Sequence, residues 1–96
     1  MLESKFQKKL IDELCELFPG CIVLKNDSSY IQGIPDLTIF YGEHWATLEC
    51  KKSKNASLRP NQEYYVKKMN DMSFSAIIYP ENKEEVLDEL QQAFKS

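Results

Sequence analysis

A chain of 96 residues makes one small domain that buries only about 60 to 65% of its unfolded surface, so its core is limited. With 43% hydrophobic and 28% charged residues, three Gly and four Pro, it falls outside the collagen-like, low-complexity and disordered classes. The formal net charge of −3 excludes a uniformly basic surface for polyanions, and no apolar run approaches the ~18 residues of a membrane span.

The opening MLESKFQKKL mixes charged and apolar residues and is unlike a signal peptide. A cytoplasmic protein with no membrane partner is the expectation. Phe6, Leu10, Leu14, Leu17 and Phe18 recur at helical spacing, with Ile11 and Cys15 widening the stripe, until Pro19-Gly20 stops the helix. CIVLKND is a short β-rich run, and DSSYIQG is a polar loop ending at Gly33. PDLTIFY and HWATLECKK, separated by Gly42-Glu43, read as a hairpin.

SKNASLRPN is a polar, basic loop, and Pro60 suits the first turn of a second helix whose apolar face holds Gln62, Tyr65, Val66 and Met69. FSAIIYP is an apolar run short enough for a buried strand. From Asn82, the expected cap, a last helix buries Val86, Leu87, Leu90, Ala93 and Phe94, with acids early where they favour its dipole. The order αβββαβα predicts an α/β fold: one mixed four-stranded sheet flanked by helices.

Charge is unevenly distributed. Residues 51–68 hold Lys51, Lys52, Lys54, Arg59, Lys67 and Lys68 against Glu63 alone, while residues 81–96 carry five acids and two lysines. A local patch can therefore bind phosphate although the whole is acidic. The three cysteines, Cys15, Cys21 and Cys50, lie in apolar patterns without metal spacing and are expected to be reduced core thiols.

Strand side chains alternate, so Trp45, Thr47, Glu49 and Lys51 share one face while Ala46, Leu48, Cys50 and Lys52 share the other. A turn at Gly42-Glu43 places Asp36 across from the Glu49 to Lys51 end. An Asp, a Glu and a Lys then converge. Phosphodiester hydrolysis needs a more basic water and relief of negative charge, which a carboxylate-held Mg²⁺ and a nearby Lys can supply. The competing reading is a solvated cross-strand salt bridge, worth about 0 to 1 kcal/mol. Glu3 falls on the core-facing stripe three residues before Phe6, and Gln62 heads the apolar face of the second helix, where a capping bond to its own N-terminus is the ordinary role.

Taken in order, Glu3, Gly33-Ile34-Pro35-Asp36, Glu49-Cys50-Lys51 and Gln62 after Arg59-Pro60 resemble the PD-(D/E)xK nuclease superfamily. The resemblance is to its VRR-NUC type, which is similar to Holliday-junction resolvases, and it spans residues 3 to about 80 of a single nuclease domain, 1–96. It implies a restriction-endonuclease-like αβββαβ core with an added C-terminal helix. It also implies a metal-dependent endonuclease acting on DNA, with junction or flap structures as candidate substrates, and a homodimer.

The implied metal is Mg²⁺ or Mn²⁺, held by Glu3, Asp36, Glu49 and the backbone carbonyl of Cys50. Lys51 is the implied catalytic lysine, and Gln62 supports the lysine or water. Where relatives often have a small capping residue before the helix-two proline, this chain has Arg59, which points to a phosphate contact. Lys52, Lys54, Arg59, Ser28 and Ser29 are the candidate DNA-binding residues. Two other readings stay open: a catalytically silent DNA-binding or assembly module with the same fold, and a structural domain with ordinary surface ion pairs. His44 reads as an exposed strand residue rather than a base. Tyr30, Tyr64 and Tyr65 are candidates for base stacking or plain packing.

Overall fold

The computed structural model describes residues 2–95. The apolar stripe near the N-terminus forms helix α1, Glu3–Leu17, with Phe6, Leu10 and Leu14 buried. Phe18 ends it, donating its N–H to the Leu14 carbonyl at 2.9 Å, and Gly20 turns the chain at φ 88°. The buried stripe is narrower than expected: Leu17 is 40% exposed and Cys15 is exposed. Cys15 lies about 100° around the helix from buried Leu14, whereas Leu17 stands in the final turn, where the covered stripe ends. Cys15 is thus not a core thiol, Cys21 is half-buried, and only Cys50 is fully buried.

Four strands follow the expected order: β1 (Ile22–Lys25), β2 (Leu37–Tyr41), β3 (His44–Cys50) and β4 (Phe74–Ile78), with helix α2 (Pro60–Met72) joining β3 to β4 and α3 (Lys83–Lys95) last. The sheet order is β1-β2-β3-β4. The first two pairings are antiparallel and the third is parallel, so the sheet is mixed. Strands of this kind flanked by three helices make a general α/β fold. At the hairpin Tyr41 pairs with His44. Gly42 has φ 61° and Glu43 is not in the left-handed region, as a two-residue turn with Gly first requires.

The two sheet faces differ in chemistry. Leu37, Ile39, Ala46, Leu48, Cys50 and Ile78 are all 0% exposed, packed under the inner stripes of α1 and α3. The opposite face carries Thr47, Glu49 and Ser75, buried beneath α2, which lies against β3 and β4. Thr47 donates its hydroxyl to Ser75 Oγ at 2.7 Å, so burial leaves that pair satisfied. Toward β1 no helix among the described residues covers this face, and Ile22, Leu24 and Phe40 stay exposed.

Asn82 stands just before α3, at the expected cap position, and its carbonyl accepts the Val86 N–H at 3.0 Å. Its Oδ1 accepts the Tyr79 N–H at 2.8 Å and its Nδ2 donates to the Ile77 carbonyl at 3.0 Å, which holds the preceding turn. Among the described residues, no helix is long and apolar enough to cross a membrane.

Candidate active site

The site is built where β2 begins and β3 ends. Register pairs Leu37 with Leu48, so Asp36, one residue before β2, falls opposite Glu49. Its backbone is pinned on both sides. Asn26 donates its N–H to the Asp36 carbonyl at 2.8 Å, and its amide reaches Pro35 O at 2.9 Å and Thr38 Oγ1 at 2.8 Å. Pro35 itself is fully buried. Before it, Gly33 takes φ 90° and passes directly beneath α2, where a β-carbon would lie 2.4 Å from Asn61 Cβ. Glycine is needed here for conformation and for clearance.

Asp36 Oδ2 accepts the backbone N–H of Cys50 at 2.8 Å. Burial raises the Asp36 pKa, against the opposing pull of that N–H and of Lys51. Glu49 is 2% exposed. Its Oε2 accepts from Gln62 Nε2 at 2.9 Å and lies 3.7 Å from Lys51 Nζ. Its Oε1 is buried with no hydrogen-bond partner among the described residues. Burial first, then the charge of Asp36, pushes the Glu49 pKa up to about 7, with Lys51 opposing. An isolated ionised carboxylate in such surroundings is costly, so this position calls for a cation or a proton.

Gln62 connects the parts. Its Oε1 accepts both the Arg59 N–H at 3.0 Å, the ordinary capping bond, and Lys51 Nζ at 3.1 Å, while its Nε2 holds Glu49. One side chain therefore ties the start of α2 to both ends of the Glu49-Cys50-Lys51 triplet. Arg59 has no acceptor group, so the reciprocal half of a capping box is missing.

Cys50 contributes through its backbone. The Lys51 N–H donates to Ile78 O at 2.9 Å on the β4 side. Among the described residues no peptide bond is cis, so the Cys50 carbonyl leaves on the opposite side, toward Asp36 beyond the end of β2. The Cys50 thiol faces the core and is pushed up to about 12, by burial first and then by the charge of Asp36.

Glu3 is placed differently from expectation. It is the first residue of α1 and exposed, because a side chain one turn before Phe6 overhangs the covered surface of the sheet. Its charge still reaches Glu49 and Cys50. Among the described residues no three His, Cys, Asp or Glu side chains group closely enough to hold a metal ion. The side chains brought together are thus Asp36, Glu49, Lys51 and Gln62, with Glu3 at the rim.

A cleft of about 490 Å³ opens beside them, lined by Ser28, Ser29, Arg59, Asn61, Asp36 and Gln62 among others. Ser29 is already engaged, donating its hydroxyl and its N–H to Asp27 Oδ1 at 2.6 and 2.8 Å. Lys54 lines a separate hollow of about 310 Å³ together with Lys51, and Lys52 is exposed. The basic cluster therefore divides around Lys51. His44 lies at the far end of β3, half-buried and stacked on Phe94 at 5.7 Å rather than exposed. Tyr30 is 85% exposed on the loop near the cleft, and Tyr64 is 56% exposed beside Lys68.

Two positioning residues, Asn26 and Asn61, were not anticipated from sequence. An Asn closing a strand just before a polar loop was the available signal for Asn26; for Asn61, packed over Gly33, there was none. No family model matches the chain, and no curated protein matches it.

Proposed function

We propose that the protein is a divalent-metal-dependent endonuclease of the PD-(D/E)xK superfamily, VRR-NUC type, with a restriction-endonuclease-like core, hydrolysing phosphodiester bonds in DNA. The observation that carries this reading is the buried, unpartnered Oε1 of Glu49, beside a second carboxylate and joined through Gln62 to a lysine. Hard oxygen donors at that point fit Mg²⁺ or Mn²⁺. Asp36, Glu49 and the Cys50 carbonyl would hold the ion, with Glu3 reaching it from the rim. When bound, such an ion supplies a more acidic water and relief of charge at the phosphate.

The chain's own residues do the rest. Gln62 fixes Lys51 Nζ beside Glu49, where the ammonium faces the charge that develops as the phosphate is attacked. The Cys50 N–H holds one Asp36 oxygen and sets the direction of the other. Arg59 and Ser28 on the cleft wall, with Lys52 and Lys54 outside it, are placed to position the backbone of DNA, including junction or flap forms. The active form is a homodimer whose second copy covers the exposed Ile22, Leu24 and Phe40.

The test pairs cleavage with binding. Four-way junction, flap, nicked and linear DNA are incubated with the protein in Mg²⁺ or Mn²⁺, beside folded Asp36→Ala and Lys51→Ala variants. Metal-dependent cutting that falls by about 10²-fold or more in both variants is expected. Thermal denaturation should also show Mn²⁺ stabilising the wild type and not Asp36→Ala. DNA binding with no cutting of any substrate would leave the silent binding module as the function.

A further inference from the structure

Outside the carboxylate site, two free cysteines lie near one another in the fold, Cys15 and Cys21. Cys15 lies on the exposed side of the last turn of α1, and Cys21 follows the tight reversal through Phe18, Pro19 and Gly20. The Cys21 N–H donates to the Phe18 carbonyl at 2.9 Å, which brings the chain back along the helix end. Its thiol then donates to the Leu14 carbonyl at 3.7 Å, the carbonyl of the peptide that Cys15 completes. The Cys21 thiol is thus held against the end of the helix beside Cys15, near enough for the two thiols to interact. Neither belongs to the carboxylate site, since they sit at the opposite end of α1 from Glu3.

We propose that Cys15 and Cys21 form a site of reversible oxidation, closing an intramolecular disulfide between the end of α1 and the start of β1 under a peroxide oxidant. Exposure makes Cys15 the sulfur that meets the oxidant first. Its thiolate attacks one peroxide oxygen, the O–O bond breaks, and Cys15 becomes a sulfenic acid with release of water. The Cys21 sulfur then attacks the Cys15 sulfur, the S–O bond breaks, and a second water leaves. Two thiols lose two protons and two electrons, and one peroxide becomes two waters.

Each residue has a different role. Burial raises the Cys21 pKa, which suits a resolving thiol that waits for its neighbour better than one that reacts directly. Cys50, 0% exposed in the core, is shielded from the oxidant. Gly20 has open space around its missing side chain, so the reversal can adjust as the sulfurs join.

The test treats the folded full-length chain with hydrogen peroxide near pH 8 and follows intact mass and peptide maps. The wild type is expected to lose two hydrogen masses, to yield a 15–21 linked peptide with Cys50 still reduced, and to recover fully with dithiothreitol. Cys21→Ser should instead accumulate a Cys15 sulfenic acid that dimedone traps, while Cys15→Ser should show no loss of two hydrogens. A wild type that oxidises Cys15 directly to the sulfinic acid, links only between chains, or resists peroxide with both thiols reduced would overturn the proposal. Circular dichroism of both variants confirms that they are folded before oxidation.

Discussion

Glu49 concentrates the chemistry of the molecule into one side chain. An acid that ordinarily titrates near 4.5 is raised to about 7 by burial and by Asp36, so between those values the folded chain binds its proton more tightly than the unfolded chain does. The sign follows: metal-free stability is full at the acidic end and falls as pH rises through this window, by about 3 kcal/mol. Glu49→Gln keeps the shape and removes the charge. The variant should match the wild type near pH 4.5 and exceed it by about 2 to 3 kcal/mol at pH 8, measured by urea denaturation in a chelator. A difference that stays flat with pH would mean that the Glu49 charge is already compensated.

Gln62 shows how one residue can serve two readings at once. Its capping bond to Arg59 N–H is the ordinary helix-start role, yet the same oxygen receives Lys51 and the same amide donates to Glu49. The capping role was visible from position, and the lysine-supporting role was what the resemblance implied. That they coexist depends on α2 crossing the end of β3, which no local pattern encodes.

At the scale of elements, the loop from Asn26 to Asp36 and the start of α2 act as one unit because Gly33 passes beneath Asn61. Gly33→Ala meets Asn61 backbone as well as side chain, and does so at φ 90°. Gly20→Ala meets a similar φ of 88° with nothing within 4 Å. Gly20→Ala should therefore cost about 1 kcal/mol and Gly33→Ala about 2 to 4 kcal/mol, with cleavage lost only in the second. Chemical denaturation of both variants, read against nuclease assays, checks the contrast. Equal costs would show that the helix start yields freely to the loop.

Most elements were legible because their patterns were clean. The stripe of Phe6, Leu10 and Leu14, the alternation in HWATLEC and the Gly42-Glu43 turn each point to one local structure. The misplacements have a common cause. Cys15, Leu17 and Glu3 carry a helical period, but how far a stripe is covered depends on the width and end of the sheet beneath it. Asn82 holds the cap position read from the sequence, and its side chain also ties down the preceding turn.

At the scale of the whole molecule, charge and apolar surface are segregated. Acids Glu13, Glu16, Glu84 and Asp88 line a groove between α1 and α3, whereas Lys52 and Arg59 lie near the carboxylate end of the sheet. Under the proposed function, DNA binding by the latter region should weaken as salt rises, in proportion to the phosphates neutralised. The uncovered patch of Ile22, Leu24 and Phe40 makes a separate prediction. Phe40→Lys should leave the fold intact, since the side chain is 43% exposed, and should convert a dimer into monomers in sedimentation velocity. Wild-type protein that sediments as a monomer at every concentration would remove the dimer from the proposed function.

The amino-acid order by itself determined the elements, their sequence and the side of the hairpin on which Asp36, Glu49 and Lys51 gather. Period and turn chemistry are local, acting over a few residues, and they survive without knowledge of the neighbours. Only the tertiary structure decided that Gln62 joins Glu49 to Lys51, that Glu3 stays at the rim, and that Glu49 Oε1 is left buried and unpaired. Those outcomes depend on where α1 and α2 end against the sheet, and burial is a property of the packed whole.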